Sequence, residues 1–417
     1  MKNIKLIGPF KQLLPMTGLA HKGTLQDSEL VIIKDGGIIV ADGLVHTIGK
    51  FSDLVQNATK KNVEIIALKD DYTCLPGFID CHTHICFSGS RAKDYAMRNA
   101  GKTYLEIAKA GGGIWDTVTQ TRKASESALE RLVIERANRH LKNGITTIEV
   151  KSGYGLSVAE ELKMLRAIKQ ADQKSSADLV STCLAAHMVP KDYKGNAKTY
   201  LAEISSDLFP RLIQEKLTRR IDAFIEESAF SKELIAPYFE MALAMGFDLT
   251  VHADQFSTGG SEIAVAYGAV SADHLEASTD KEIDLLAQSN VIATALPGAS
   301  LGLGCNFTPA RKILDHGGAL AIASDWNPGS APMGNLLMQA AVLGTFEKLS
   351  NAEVLAGITF RAAAALRLDD RAILDTGYLA DFIVFPTNDY KEIIYQQGML
   401  TPCMVYKNGE LVFDEPK

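Results

Sequence analysis

The feature that most restricts how this chain can fold is a regular alternation of two patterns between Leu75 and about Leu366. Short apolar segments typical of buried strands alternate with amphipathic segments typical of helices, as parallel α/β architecture requires. Eight such strands, each followed by helical sequence, favour a (β/α)8 barrel over an open sheet. The predicted strands are Phe78–His82, Ile145–Val150, Leu179–Ala186, Ile221–Ile225, Asp248–His252, Ala269–His274, Val291–Ala295 and Ala319–Ser324.

Both ends of the chain have a different pattern, that of short strands joined by tight turns. Residues 29–48 contain apolar segments with breaks at Gly36–Gly37 and Asp42–Gly43, and residues 380–385 and 404–413 resemble them. Asn408–Gly409 between apolar segments is a strong hairpin signal. We therefore expect the two ends to build one small β domain.

Composition and charge exclude several kinds of partner and location. The chain of 417 residues has 43 Lys+Arg and 50 Asp+Glu, a net charge of −7, and no basic stripe of the kind that binds nucleic acid or anionic membranes. The N-terminal apolar segment is too short for a signal peptide, and no segment reaches the roughly 20 apolar residues of a membrane span. The six cysteines show no paired spacing, which favours a reducing, cytoplasmic location.

Two histidines, His82 and His84, follow each other closely at the end of the first predicted strand. Side chains two residues apart on a strand point to the same side, so both imidazoles can bind one metal ion. An alternative is a structural zinc site that also uses Cys81 and Cys86. Strand alternation turns Cys81 to the opposite face, however, and no later Cys-x-x-Cys completes four ligands.

Three further polar residues mark the same rim of the predicted barrel. His252 and His274 end the fifth and sixth strands, and Asp325 follows the eighth. Alone, a strand-end histidine is often a wall residue and an Asp a turn residue, but their equivalent positions favour a shared site. A bound divalent metal lowers the pKa of water to about 7, and a neighbouring carboxylate can then take its proton. The histidines to which we assign no chemical role are His21, His46, His140 and His316.

The segment Pro76-Gly-Phe-Ile-Asp-x-His-Thr-His84, the later histidines and the final Asp resemble the amidohydrolase superfamily. Members are metal-dependent hydrolases on a (β/α)8 barrel, with a β-sandwich made from both chain ends. The resemblance implies an α/β fold in which residues 74–366 form the TIM-type barrel. Residues 1–73 and 367–417 would then form the two parts of the sandwich.

Further segments resemble the branch of this superfamily that hydrolyses the cyclic amide of 4-imidazolone-5-propionate. The resemblance implies formation of N-formimidoyl-L-glutamate in histidine degradation. The part around Lys151–Gly155 discriminates best against deaminases and hydantoinases. The matching segments are Gly89–Arg91, Gly111–Ile114, Glu149–Gly155, Ala186–His187, His252–Asp254, Ala272–Leu275, Leu296–Gly298 and Asp325–Ser330.

Many relatives bridge two metals with a carboxylated lysine on strand four, but Ile221–Ile225 contains no lysine. Lys151 ends strand two instead and is better explained as part of a glycine-rich loop. One metal ion per chain, divalent or trivalent, follows from the resemblance, and histidine and carboxylate ligands do not separate zinc from iron. Its implied ligands are His82, His84, His252 and Asp325.

The resemblance also implies the residues that bind and convert the substrate. Arg91 would pair with the propionate, because a guanidinium binds a carboxylate through two parallel hydrogen bonds. His274 would stabilise the oxyanion, and Asp325 would take the proton of the water and pass it to the leaving nitrogen. The other implied contacts are Tyr154, His187, Gln255, Asn327, Gly329 and Ser330.

Gln255 leaves two alternatives open. Relatives often have Glu at this position, and a carboxamide can donate a hydrogen bond but cannot transfer a proton. One alternative is another cyclic-amide hydrolase or a heterocycle deaminase. The other is a barrel that binds metal and ligand without turnover. These two alternatives and the imidazolone hydrolase all imply a small-molecule ligand. The expected assembly is a homodimer.

Overall fold

The computed structural model of the protein describes residues 4–58, 63–226 and 229–415. Its strands are β1 Ile4–Leu13, β2 Ile33–Ala41, β3 Leu44–Lys50, β4 Glu64–Ala67, β5 Thr73–Pro76, β6 Phe78–Asp80, β7 Ile145–Lys151, β8 Asp178–Ala186, β9 Arg220–Phe224, β10 Asp248–Ala253, β11 Ser271–His274, β12 Ile292–Ala295, β13 Leu320–Ile322, β14 Phe382–Phe385, β15 Met404–Lys407 and β16 Glu410–Asp414. Its α-helices are α1 Phe51–Ala58, α2 Ala92–Asn99, α3 Tyr104–Lys109, α4 Ile114–Lys123, α5 Glu126–Lys142, α6 Val158–Asp172, α7 Ala197–Glu203, α8 Phe209–Gln214, α9 Lys232–Ala244, α10 Gly260–Ala266, α11 Asp280–Gln288, α12 Pro297–Leu303, α13 Ala310–Asp315, α14 Leu336–Glu347, α15 Asn351–Gly357, α16 Phe360–Ala365 and α17 Lys391–Tyr395.

Strands β6 to β13 form a parallel sheet in chain order, with helices between successive strands. The sheet closes where the segments after β6 and β13 pair: His84 N donates to Trp326 O at 2.9 Å, and Asp325 N donates to His82 O at 3.0 Å. The predicted (β/α)8 barrel is thereby confirmed, with each of the eight predicted strands present. Closure also brings the segment with His82 beside Asp325.

Strand β7 shows how the sequence divides the barrel into two environments. All seven of its residues are buried, and alternate side chains face opposite sides of the sheet. Ile148 and Val150 belong to the large apolar cluster that joins strands and helices. Glu149 and Lys151 face the barrel interior, where charged groups from other strands meet them.

The remaining eight strands form a second, mixed sheet from both chain ends. Its order is β16-β15-β14-β5-β1-β2-β3, with β4 paired to β1. Side chains from both ends share an apolar core of their own, in which Phe10 packs against Phe382 and Phe382 stacks on Tyr406. The expected small β domain built from both termini is therefore present, as the superfamily resemblance implied.

The turns of this second sheet confirm two predictions and correct one. Positive φ angles at Asp42 and Gly43 (54° and 81°), and at Asn408 and Gly409 (51° and 74°), are those of type I′ hairpin turns. The expected break at Gly36–Gly37 is wrong, because β2 runs through it without interruption. Gly37 is needed for packing instead, since a Cβ there would lie 2.9 Å from a ring carbon of Phe51.

At the first junction of the two sheets, β5 pairs with β1 and β14, and β6 starts the barrel after a single intervening residue. We retain the division into residues 1–73, 74–366 and 367–417 as a proposal, of which residues 1–3, 59–62, 227, 228, 416 and 417 lie outside the described ranges. Among the described residues, no helix combines the length and apolar character needed to cross a membrane.

Candidate functional site

Three buried histidines meet at the carboxyl ends of the barrel strands. His84 Nε2 lies 3.3 Å from His82 Nε2 and 3.3 Å from His252 Nε2. His82 and His84 lie on the extended segment after β6, and His252 lies on β10. The His-x-His spacing keeps two imidazoles together, and the barrel brings a third beside them from a distant part of the sequence.

Asp325 joins this histidine cluster from the opposite edge of the closed sheet. Its Oδ1 lies 3.4 Å from His84 Nε2 and 3.6 Å from His82 Nε2. The other oxygen, Oδ2, accepts hydrogen bonds from Asn327 Nδ2 at 2.8 Å and Ser330 Oγ at 3.3 Å. These donors fix the carboxylate so that Oδ1 faces the three imidazoles.

Two buried aspartates determine which ring nitrogen of His82 and of His252 faces the cluster. Asp273 Oδ2 lies 2.7 Å from His82 Nδ1, and Asp222 Oδ2 lies 3.0 Å from His252 Nδ1. A proton on each Nδ1 leaves a lone pair on Nε2. Burial lowers the pKa of His82 well below its ordinary value and lowers the pKa of His252 to about 4. Both rings are therefore neutral at pH 7, as metal ligands must be.

The geometry fits a metal ion. Ligand atoms about 2.0 to 2.2 Å from a tetrahedral metal lie about 3.3 to 3.6 Å from one another. The four separations measured here are 3.3, 3.3, 3.4 and 3.6 Å. Lone pairs that face each other at such distances repel unless a cation lies between them. The residues present can thus hold one divalent ion.

The alternative site with cysteine ligands has no support in the structure. Cys86 Sγ lies 3.8 Å from Met164 O, and burial raises the pKa of Cys86 to about 12. Burial likewise raises the pKa of Cys81 well above its ordinary value. Among the described residues, the group of side chains that could share one metal ion consists of His82, His84 and His252 and contains no cysteine.

Lys151 corrects an expectation of the sequence analysis. It is the last residue of β7 and is completely buried, rather than part of the following loop. Its Nζ lies 2.8 Å from Glu149 Oε1, 2.8 Å from Asp222 Oδ2 and 3.9 Å from Asp273 Oδ2. Burial alone lowers the pKa of Lys151, but attraction to Asp222, Glu149 and Asp273 outweighs it and raises the pKa. The ammonium group is therefore charged.

Sequence reasoning missed the three acidic partners of Lys151. Each lies within a predicted barrel strand, and that was the available signal: a carboxylate inside a buried strand needs a charged or hydrogen-bonding partner. Asp273 also directly precedes His274, one of the predicted residues. The missed residues are Glu149, Asp222 and Asp273.

His274 lies at the edge of the histidine cluster with an unusual backbone conformation. Its ring centroid is 5.4 Å from that of His252, and its φ angle is 88°, which is rare for a residue with a side chain. Glu276 Oε1 lies 3.3 Å from His274 Nδ1. Burial lowers the pKa of His274, but the charges of Glu276, Asp325 and Asp273 raise it above its ordinary value.

Tyr154 and His187 extend the cluster on one side. Their ring centroids lie 6.0 and 5.7 Å from that of His84, and the His187 ring is stacked on it. Gly153 O accepts a hydrogen bond from His187 Nδ1 at 2.9 Å, which leaves Nε2 as an acceptor. Burial, with His84 and His252 nearby, lowers the pKa of His187 to about 3.

Arg91 lies beside the loop that follows β13. Its Nε donates to Asp94 Oδ2 at 2.8 Å, and a Cβ on Gly329 would collide with its Nη1. In the same loop, Asn327 Oδ1 accepts hydrogen bonds from Gly329 N at 2.7 Å and Ser330 N at 2.8 Å. The predicted group Asn327, Gly329 and Ser330 is therefore one hydrogen-bonded turn that connects Arg91 with Asp325.

Gln255 lies three residues after His252, in the half-buried turn beyond β10. Glu226 holds this turn: its Oε1 accepts a hydrogen bond from Phe256 N at 2.8 Å, and its Oε2 contacts the hydroxyl of Ser257. Glu226 thus holds Phe256 and Ser257, the two residues that directly follow Gln255.

Comparison with known proteins places the chain in a family. The family model described as "Amidohydrolase family" matches residues 73–412. The imidazolonepropionase of Acinetobacter baumannii is 38% identical over 395 residues, which is 94% of this chain and 98% of the relative. The imidazolonepropionase of Bdellovibrio bacteriovorus is 36% identical over 416 residues, which is 98% of this chain and 96% of the relative.

A solved structure supports the fold independently. The atrazine chlorohydrolase of Arthrobacter aurescens TC1, complexed with zinc, matches with a TM-score of 0.72 at 16% identity, covering 98% of this chain and 95% of that one. At that identity the likeness concerns architecture alone. The family match and the two relatives extend over nearly the whole chain, and on this basis the protein belongs to the amidohydrolase family, in the group of the imidazolonepropionases.

Proposed function

We propose that the protein hydrolyses the cyclic amide of 4-imidazolone-5-propionate to N-formimidoyl-L-glutamate, a step of histidine degradation. The observation that carries this proposal is the convergence of three buried histidines and the Asp325 carboxylate at the barrel mouth. Relatives that share more than a third of the sequence are named imidazolonepropionase.

The site is proposed to hold one metal ion per chain, zinc or iron. Its protein ligands would be His82, His84, His252 and Asp325. When bound, the ion supplies the Lewis acidity that activates water and polarises a carbonyl at neutral pH. Imidazole and carboxylate ligands suit both metals, so the ligand set leaves the choice between them to metal analysis.

Asp325 and His274 are proposed to move protons and stabilise charge. The Oδ1 atom of Asp325 faces the cluster and takes the proton of the attacking water, while Asn327 and Ser330 hold the other oxygen. The ring of His274, whose Nδ1 contacts Glu276, donates a hydrogen bond to the carbonyl oxygen as negative charge develops there. Asp325 then returns the proton to the ring nitrogen as the C–N bond breaks.

The propionate of the substrate is proposed to pair with Arg91. Asp94 holds Arg91 Nε at 2.8 Å and so fixes the guanidinium at the edge of the cleft. This anchor would set the distance between the propionate and the ring at the cluster. The remaining proposed contacts to the ring are Tyr154, His187, Gln255, Asn327, Gly329 and Ser330.

We also propose a cytoplasmic, homodimeric enzyme that binds a small molecule and acts without nucleic acid or membrane. Burial raises the pKa of the thiols of Cys74, Cys81, Cys86 and Cys183. Thiols kept reduced in this way suit a reducing compartment. Gel filtration with light scattering would measure the assembly.

Turnover of 4-imidazolone-5-propionate by the purified, metal-loaded protein tests the proposed reaction through loss of ultraviolet absorbance. We expect Asp325→Asn to lower kcat by a factor of about 10² to 10⁴, the usual contribution of a general acid–base group. Asp284→Asn, which changes an exposed aspartate paired with His316, is the matched control and keeps its activity. Ammonia release from purines or pyrimidines instead would identify a deaminase, and near-normal turnover by Asp325→Asn would refute the role given to Asp325.

A further inference from the structure

One buried cation contacts all three carboxylates that support the histidine cluster. Glu149 supports the cluster through the backbone between His82 and His84: its Oε2 accepts a hydrogen bond from Thr83 N at 3.1 Å, and its backbone oxygen accepts one from Thr83 Oγ1 at 2.6 Å. Glu149 thereby fixes the extended segment that carries two of the three imidazoles.

Asp222 and Asp273 support the other contacts of the cluster. Asp222 Oδ1 accepts a hydrogen bond from His252 N at 3.2 Å, and its Oδ2 faces Nδ1 of the same residue at 3.0 Å. Asp273 Oδ2 binds His82 Nδ1 at 2.7 Å and accepts a hydrogen bond from Thr250 Oγ1 at 3.1 Å. These aspartates orient two rings that face each other across the cluster.

Lys151 lies where the three carboxylates come closest together. Its Nζ contacts Glu149 on β7, Asp222 on β9 and Asp273 on β11, so it links three strands across the barrel interior. Lys151 and the three acids are all 1% exposed or less. Without the ammonium group, three negative charges would face one another in a medium of low dielectric constant, and each would move toward any other donor.

We propose that Lys151 is a positioning residue: by holding Glu149, Asp222 and Asp273 together, it sets the geometry of the histidine cluster and its affinity for metal. The inference deepens the proposed function and depends on the metal centre proposed there. Groups that orient metal-bound histidines typically change metal affinity by about 10- to 100-fold when they are removed. Lys151 acts on three such groups at once.

Titration of the metal-free protein with Co²⁺ alone tests this inference, since the absorption bands of bound Co²⁺ report the geometry of its ligands. We expect Lys151→Met to weaken Co²⁺ binding by at least about tenfold and to shift these bands. Arg361→Met is the matched control. It also removes a fully buried cation, but Arg361 donates to the backbone oxygens of Ala20 and Gly23 and does not contact the cluster.

If Lys151 had a structural role alone, Lys151→Met and Arg361→Met would lose the same thermal stability, and both would bind Co²⁺ as the wild type does. Wild-type affinity and spectrum in Lys151→Met would therefore overturn the inference. If that variant does not fold, Lys151→Met/Glu149→Gln is compared with Glu149→Gln, because the lost positive charge is then balanced by a lost negative one. Weaker Co²⁺ binding by the double variant than by Glu149→Gln supports the inference, and equal affinity and spectra overturn it. Failure of the wild-type protein to bind Co²⁺ would instead refute the proposed metal centre.

Discussion

Histidines at the mouth of this barrel differ in the direction of their pKa shifts because of their neighbours. Burial lowers the pKa of His82 and of His252, which favours neutral rings with a lone pair on Nε2. His274 is equally buried, but its ring faces Glu276 and lies near Asp325, and these carboxylates raise its pKa. One residue type thus shows opposite pKa shifts within a few ångströms.

Arg91→Met tests the proposed anchor for the propionate. Because Arg91 lies away from the bond that breaks, its loss should raise KM and leave kcat comparatively unchanged. Loss of a charge-assisted pair costs about 2 to 5 kcal/mol, which corresponds to a fall in kcat/KM of roughly thirtyfold to several thousandfold. Steady-state kinetics with 4-imidazolone-5-propionate would measure the split between the two constants.

Two comparisons separate an anchor from a structural arginine. Lys93→Met removes one positive charge from the exposed side of helix α2, which begins directly after Arg91. This substitution should leave kcat/KM unchanged. A substrate analogue without the propionate should be nearly indifferent to Arg91→Met. Equal impairment on both compounds would show that Arg91 supports the fold through Asp94 rather than binding substrate.

The sequence was sufficient to predict those site residues whose signal is local. His82 and His84 are two apart on one segment, and His252, His274 and Asp325 follow predicted strands. The network around Lys151 was not predictable in this way. Its members lie on β7, β9 and β11, and only the closed barrel brings a lysine on one strand against aspartates on the others.

At the scale of elements, burial explains which strands were predictable. Barrel strands are covered on both faces, so they are rich in apolar residues and stand out in the sequence. The second sheet is different, because some of its strands are half exposed and contain glycines. In the sequence, two adjacent glycines at positions 36 and 37 indicate a break between strands, whereas in the structure they allow close packing within β2. Residue type alone does not distinguish a glycine in a turn from a glycine packed under a neighbouring ring.

Gly409→Ala should show what a turn glycine contributes to the β15–β16 hairpin. Gly409 has a φ of 74°, and an added Cβ would collide with Val40 on β2. Gly18→Ala is the matched control, because its φ is 75° and no atom lies within 4 Å of the added Cβ. Both substitutions incur about 1 to 2 kcal/mol of backbone strain, and Gly409→Ala incurs about 1 to 3 kcal/mol more from overpacking. Urea unfolding would measure the difference, and equal midpoints would contradict it.

At the scale of the whole molecule, one buried lysine joins the second sheet to the barrel. Lys407 Nζ, on β15, lies 2.9 Å from Asp178 Oδ2, at the start of β8, and 2.7 Å from Asp381 Oδ2, next to β14. Arg371 also contacts Asp178 from the segment that leads into β14. The C-terminal strands are thus held to the barrel by charge as well as by the apolar contacts of their sheet.

Lys407→Met should destabilise the protein by about 3 to 5 kcal/mol, because it leaves the Asp381 carboxylate buried without its cation. Asp381 is 2% exposed in its side chain, so water cannot replace the lost partner. Lys5→Met is the matched control within the same sheet. Its partner Glu410 is 66% exposed, and a surface pair of this kind contributes at most about 1 kcal/mol.

The destabilisation caused by Lys407→Met should also depend on pH. Burial raises the pKa of Asp381 above its ordinary value, and the attraction of Lys407 opposes this rise. Without Lys407 the pKa rises further, so the folded variant binds a proton at pH values where the unfolded chain has lost it. The free energy of unfolding then falls as pH rises through this window and recovers as pH falls. We expect the difference in Tm from wild type to be larger at pH 7.5 than at pH 5, whereas the difference for Lys5→Met should stay constant. A Lys407→Met deficit that is the same at both pH values would show that Asp381 does not remain buried and charged in the variant.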